Sequence, residues 1–578
     1  MNTATDIVTP QPFLDGARAQ LSKASRSPGV DDYLRAWSDY WLGLAASPDE
    51  QLALAQAAAN AAIDSWQFAC QATRALSEGT SLEHDNNAAA FAGEAWNYWP
   101  FNIYAHGHGQ LTKWSERALS AIPGMGAENA LRLEFLRRLS LAAASPAHYL
   151  VTNPDLLAQT AAEGGVNLLR GAQHWLEDAA RLFDGGAAPG AAQFKVGEQV
   201  AITPGKVVLR NDLMELIQYS PQTPRVHAEP VLITPAWIMK YYVLDLSPSN
   251  SLVKFLVDRG HTVFMISWKN PSPADSELAM RDYLEQGLYA ALAAVGTIVP
   301  GQRVHTVGYC IGGTLLSVGA AALAATGDER IATITLLAAQ TDFSEPGELA
   351  VFISPNQLAA LQLQMQRDGV LSSQSMGAAF ALLRANELIW APLINLYLRG
   401  QRGAINDLMA WNADGTRMPC RMHSEYLTRL YLHNELSAGR YTVDGATIDL
   451  AKLKVPMFVV GTETDHVAPW HSVYKTRALT RSSDYTFLLT SGGHNAGIIS
   501  GAVNPKRRHR LLHWDNQAQL GPEGFMEGAE LREGSWWGSW QAWLGAHSPG
   551  AQCPPPQLGN AAAGYAPLTD APGAYVHG

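Results

Sequence analysis

Apolar residues recur at three- and four-residue spacing through about the first 185 positions, as in DDYLRAWSDYWLGL and SPDEQLALAQAAANAAIDSWQFACQATRAL. That is the helical period, and Ala, Leu, Gln and Glu dominate the stretch, which predicts a helical N-terminal domain over residues 1–190. Trp37, Tyr40, Trp41 and Leu44 fall on one helix face, either as ordinary packing or as a contact surface for an apolar partner. The small-residue segment Asp184–Gln193 (DGGAAPGAAQ) marks a boundary. Beyond it the pattern changes. VAITPGKVVLRNDLMELIQY predicts antiparallel strands with a Pro-Gly turn. Short β-branched runs follow: PVLIT ending at Thr234, HTVFMISW from His261, RVHTVGY from Arg303, ITLLAA from Ile334, PMFVVGT from Pro456 and YTFLLT from Tyr485. Helical stretches such as SELAMRDYLEQGLYAALAAV separate several of them. This alternation predicts an α/β domain over residues 191–545 with a mostly parallel sheet covered on both faces. Between about 350 and 439 it gives way to a Leu-, Tyr- and Met-rich helical insertion, expected as a cap. Residues 546–578, rich in Pro, Gly and Ala, are expected to be an extended tail.

The 578 residues are 47% hydrophobic and 16% charged, which excludes global disorder and supplies a sizeable core. A net charge of −11 argues against nucleic acid as a partner. No run of about 18 uncharged apolar residues occurs, so no transmembrane segment is expected. The start, MNTATDIVTP, lacks the pattern of a secretory signal. Cys70, Cys310, Cys420 and Cys553 are far apart and make neither a disulfide framework nor a paired metal site, so a cytoplasmic setting is expected. The 17 Trp and 15 Phe imply either a large core or rings turned towards an apolar partner.

Chemistry concentrates at Gly308-Tyr309-Cys310-Ile311-Gly312-Gly313, between the run RVHTV and the small-residue helix TLLSVGAAALAA. This has the form of a nucleophile elbow with Cys in place of Ser; the other reading is a buried structural Cys in a Gly-rich turn. The tight strand-to-helix turn requires small residues two before and two after the nucleophile. The helix N-terminus favours thiolate, and the Ile311 backbone N–H is placed for a developing oxyanion. In α/β-hydrolases the acid and then the histidine follow the nucleophile along the chain, each in a loop after a strand. Here PMFVVGTETDHVAPW places Asp465 just past one run and YTFLLTSGGHNAG places His494 just past the next. Both stand at strand carboxyl ends, where open α/β sheets put their sites. His466 is a competing base beside Asp465, and His305, within a strand, reads as structural.

The elbow GYCIGGT, the loops GTETDHVAPW and GGHNAG, and GSWWGSWQAWL resemble those of polyhydroxyalkanoate synthases. So do FAGEAW, SPAHYLVTNPDLL, PAWIMKYYVLDLSPSNSLVKFLVDRGHTVFMISWKNP and APGAYV, so the resemblance runs from about residue 90 to the C-terminus. It implies an α/β-hydrolase fold of the single-subunit synthase type, with Cys310 acylated, His494 as its base and Asp465 in support. The implied reaction joins (R)-3-hydroxyacyl groups from coenzyme A, by default 3-hydroxybutyryl, into polyester without a cofactor or metal. The implied partners are the growing polyester, a second copy of the chain, the granule surface and granule-associated proteins, with a cytoplasmic location at the granule. Met239 stands where family members often have Asn; the segment Pro235–Lys240 is where a second oxyanion N–H, that of Trp237, is expected. Lys506–Arg510 is either a contact for coenzyme A phosphates or a solvated basic patch. A cysteine-dependent ester or lactone hydrolase is the alternative enzyme, and a non-catalytic granule-surface protein the alternative class.

Overall fold

The computed structural model describes residues 30–578 except 121, 123, 185–189, 191–192, 500, 502–503, 505 and 515–519. The boundary expected at Asp184–Gln193 lies mostly outside the described residues. Among the described residues no single helix is long and apolar enough to cross a membrane.

The chain divides into two compact units. The first takes in the described residues of Met1–Ala179 with Ala350–Leu363 and Ala381–Arg402. Its helices Val30–Ala45, Pro48–Glu78, Phe101–Ser120, Ala127–Ala144 and Pro154–Ala162 follow the periodic stretches of the sequence. Pro48 opens the long helix and Gly79, at φ 69°, closes it in the left-handed conformation that costs glycine least. Tyr40 packs inward with Ala36, whereas Trp37 and Trp41 are 41% and 59% exposed, so the face expected to act as one is split.

The second unit holds a ten-stranded sheet. Its strands are β1 (Gly205–Arg210), β2 (Met214–Tyr219), β3 (Val231–Thr234), β4 (Val263–Trp268), β5 (Val304–Tyr309), β6 (Ile331–Leu337), β7 (Met457–Thr462), β8 (Tyr485–Thr490), β9 (Arg508–Trp514) and β10 (Glu530–Glu533). They lie in the order β1-β2-β4-β3-β5-β6-β7-β8-β9-β10. From β4 to β8 neighbours are parallel, and both edges are antiparallel. Residues on both faces of β3 to β8 are buried, as expected for parallel strands. The β1–β2 hairpin turns at Asn211 rather than at Pro204-Gly205, because the Asn211 side chain accepts the N–H of Leu213 and of Met214 (3.0 and 2.9 Å). Strand β9 takes up the end of the basic run at a sheet margin, with Arg508 exposed, His509 buried and Arg510 half-buried.

The stretch 350–439 is helical but does not group as one cap. Residues 350–363 and 381–402 belong with the N-terminal helices, and residues 364–380 and 403–439 with the sheet. Polar bonds within the first unit explain this. The helix Val166–Asp184 turns Asn167 and His174 to the Leu398 and Leu396 carbonyls (2.8 and 3.2 Å), and Asp32 accepts from Asn356 (2.9 Å). The tail beyond Ala546 is mostly irregular and laces to the sheet, with Val207 bonded to Thr569 and Leu568.

Candidate active site

Cys310 sits between β5 and the helix Ile311–Ala325, at φ 53° and ψ −129°. A residue with a Cβ pays strain there, of the order of 1–3 kcal/mol, and the neighbours show what enforces it. A Cβ on Gly312 would fall 2.5 Å from the Pro235 carbonyl oxygen, and one on Gly313 2.9 Å from that of Gly308. Helix, strand and the loop after β3 are thus in backbone contact, and only glycine fits. Ile311 opens the helix, so its N–H has no acceptor four residues back. Trp237 lies in the loop after β3; its carbonyl accepts from Thr416 Oγ1 (2.6 Å) and its buried ring stacks on Tyr283.

Asp465 and His494 follow β7 and β8, adjacent parallel strands in register. His494 Nδ1 and Asp465 Oδ2 are 2.7 Å apart. The same Oδ2 accepts from Thr462 Oγ1 (2.9 Å), and Oδ1 accepts the N–H of Val467 and Ala468 (2.9 and 2.8 Å). The Asp465 side chain is 0% exposed and that of His494 11%. Burial pushes the Asp465 carboxyl up, but the His494 charge and hydrogen bond, with the two backbone N–H groups, hold it below its ordinary value. Burial also opposes the charged imidazole, yet the charges and hydrogen bonds of Asp465 and Cys310 raise His494 well above its ordinary value. The arrangement therefore favours an imidazolium between a carboxylate and a sulfur.

Cys310, His494 and Asp465 are brought together. The imidazole seen on Asp465 is that of His494; His466, the competing base, follows Asp465 in the same loop. His305 lies at the far end of β5, buried, between Thr333 Oγ1 (2.8 Å) and Ser548 Oγ (2.9 Å), with burial lowering its pKa to about 4. Within the basic run, Arg507 donates to the Ser491 carbonyl (3.1 Å), Arg508 pairs with Glu463 (3.5 Å), and the His509 ring meets Gly534 and Ser539. The described residues contain no group of three His, Cys, Asp or Glu that could hold a metal ion.

Several neighbours of the site were assigned no role from the sequence, although Tyr309, Trp536 and Trp537 lie in segments quoted above. The Tyr309 hydroxyl donates to Asn495 Oδ1, and its ring stacks on His494. Tyr426 and Tyr431, from the inserted segment, bring buried hydroxyls 3.5 Å apart into the electrostatic reach of Cys310. Trp536 and Trp537, fully buried, donate to the Gly497 and Ile498 carbonyls (3.0 and 2.9 Å), fixing the loop that carries His494.

The sheet order, the strained elbow and the acid and histidine after adjacent strands define an α/β-hydrolase fold, and residues 229–499 match the family described as "alpha/beta hydrolase fold". Residues 87–256 match "Poly-beta-hydroxybutyrate polymerase (PhaC) N-terminus". The chain is 39% identical to a poly(3-hydroxyalkanoate) polymerase of Methylorubrum extorquens, over 84% of this chain and 80% of that one. It is 37% identical to a poly(3-hydroxyalkanoate) polymerase subunit of Rhizobium meliloti (88% and 82% covered) and 34% to one of Cupriavidus necator (86% and 84%). The chain belongs to the poly(3-hydroxyalkanoate) polymerase family.

Proposed function

We propose that this chain polymerises (R)-3-hydroxyacyl groups, with 3-hydroxybutyryl as the reference unit, from coenzyme A thioesters through a thioester on Cys310. The observation that carries the reading is the His494–Asp465 contact at 2.7 Å, set where the imidazole also meets Cys310. His494 takes the thiol proton as Sγ attacks the substrate carbonyl. The carbon–sulfur bond to coenzyme A then breaks, and the leaving thiolate takes the proton back. One thioester replaces another, so the acyl group keeps its transfer potential. In extension, the 3-hydroxyl of a 3-hydroxyacyl-CoA attacks the carbonyl of the Cys310 thioester, its proton passes by way of His494 to the departing Cys310 sulfur as that carbon–sulfur bond breaks, and the oxoester so formed, still a coenzyme A thioester, reloads Cys310 as in the first step. The lower energy of the oxoester drives the chain forward. The N–H groups of Ile311 and Trp237 receive the oxyanion, at about 3–4 kcal/mol per good donor. Protein groups supply every role, and the proposed reaction calls for no metal or other cofactor.

Asp465 orients His494 and stabilises its imidazolium. Both carboxylate oxygens already accept two donors each from the chain, which leaves no face for an incoming hydroxyl. Lys506 and Arg508, beside the loop of His494, are the candidates for coenzyme A phosphates. Because the product stays bound to Cys310 and is apolar, the enzyme works at a granule surface in the cytoplasm, with granule-associated proteins as neighbours and as a homodimer.

Incubation with (R)-3-hydroxybutyryl-CoA, following free thiol and polymer together, tests the reading. Thiol release with insoluble polyester is expected. Thiol with only free acid would make the chain a hydrolase, and neither product would make it non-catalytic.

A further inference from the structure

The loop Pro235–Lys240 has its carbonyls claimed by side chains from distant parts of the sequence. Trp268 Nε1 donates to Pro235 (2.9 Å), Thr416 Oγ1 to Trp237 (2.6 Å) and Trp411 Nε1 to Lys240 (2.8 Å). The Lys240 side chain itself leads elsewhere. It is buried, and Nζ donates to the Val576 carbonyl (2.9 Å) and to the Gly578 carbonyl. Residues 574–578 are in turn fixed to the sheet. Glu215 Oε2, buried in β2, accepts the N–H of Ala574 and of Tyr575 (2.8 and 2.9 Å). The Tyr575 hydroxyl donates to the Asn211 carbonyl (2.6 Å), and Asn270 donates to Gly578 (3.1 Å).

A buried ammonium is costly unless its hydrogens meet acceptors, and apolar packing alone does not call for lysine at this position. Here those acceptors are backbone carbonyls of one strap. We propose that Lys240 is a positioning residue, tying the strap 574–578 to the loop so that the Trp237 N–H stays where an oxyanion forms. The proposal rests on the reading of Trp237 as an oxyanion donor. Such a donor works only if it is held in place before the charge appears, and a displacement of about 1 Å costs about 100-fold in rate.

The test compares two reactions of Cys310 in the full-length protein. Acylation by 4-nitrophenyl butyrate passes through an oxyanion and needs no recognition of coenzyme A; alkylation by iodoacetamide forms no oxyanion. Lys240→Met, of similar length, removes the ammonium. Tyr575→Phe cuts one bond of the strap far from the loop, and it decides the matter if Lys240→Met does not fold. We expect the acylation rate to fall about 100-fold in Lys240→Met and less in Tyr575→Phe, with KM and alkylation at wild-type values. Acylation and alkylation falling together would reduce Lys240 to a structural role and overturn the proposal, as would acylation unchanged in a folded Lys240→Met. Absence of acylation in the wild type would sink the oxyanion reading beneath it. Failure of the polymerase reading shows separately, as wild-type protein that releases no thiol from (R)-3-hydroxybutyryl-CoA.

Discussion

Asp465→Asn separates an orienting acid from one that acts on the attacking hydroxyl, and the hydrogen bonds around Asp465 fix what it does. The Asn carbonyl oxygen can still accept the N–H groups of Val467 and Ala468, now at 2.9 and 2.8 Å. The amide nitrogen then takes the place of Oδ2, facing Thr462 Oγ1 and His494 Nδ1. The Thr462 hydroxyl rotates and accepts. The imidazole cannot keep its hydrogen on Nδ1 against an N–H donor, so the proton moves to Nε2. In that tautomer Nε2 donates and cannot take the thiol proton. Loss of the correct tautomer lowers kcat by about 10⁴, equal to ~5.5 kcal/mol in the barrier. The fold should tolerate the change, since all four contacts persist, two with donor and acceptor exchanged, at a cost of about 1–2 kcal/mol for the lost charge. Rapid-quench measurement of coenzyme A release is the assay. We expect slow, burst-free release, because acylation and extension use the same imidazole. A full-sized fast burst followed by almost no turnover would refute the orienting role.

Cys310→Ala should abolish thiol release and keep the fold, while Cys310→Gly should be more stable than Cys310→Ala by about 1 kcal/mol in denaturant unfolding, since glycine relieves the strain at φ 53°; equal stabilities would show the elbow unstrained. Gly312→Ala should lower stability by about 1–3 kcal/mol and impair acylation, because its Cβ meets the Pro235 carbonyl oxygen at 2.5 Å; a Tm within error of wild type would contradict the packing of helix on loop. In Cys310→Ala the His494 pKa, followed by NMR, should fall, since the sulfur's share of the upward shift is lost; no change would mean the sulfur does not interact with the ring. His494, with its folded pKa raised, contributes stability that is full below about pH 6.5 and is lost as pH rises through the folded value. Asp465, with its pKa lowered, contributes stability present above about pH 4 and lost as pH falls through the folded value. Unfolding measurements of wild type against His494→Gln should therefore converge at high pH.

The parallel strands were legible because each is a short β-branched run buried on both faces, and the elbow because its glycines are forced by backbone contact. Asp465 and His494 could be found because each stands just after such a run. Strand β9 was hidden by its composition: RHRLLHW reads as a charge cluster, and only pairing with β8 and β10 makes it a strand. The division of residues 350–439 was hidden for another reason. Asn167 and His174 bond to carbonyls of residues 396–398, and Asp32 to Asn356. No local period reports a contact over more than 200 residues.

Other long-range bonds tie the loops that carry the proposed site to segments distant from Cys310, Asp465 and His494. A site built on loops at strand ends inherits the mobility of those loops unless something ties their backbones. Here each loop is tied by a different device. The acid loop closes on its own carboxylate, through the N–H groups of Val467 and Ala468. The histidine loop is tied at Gly497 and Ile498 by indole donors from the helix Trp537–Ala546 and the residue before it. The loop after β3 is tied by Trp268, Trp411, Thr416 and, through Lys240, by the strap. Five of the six donors in the last two sets are indoles or hydroxyls, which present one directed hydrogen without bringing a charge near the imidazole; Lys240 brings its charge but directs it to the strap. The tryptophan-rich helix and the tail thus hold the loops of the proposed site.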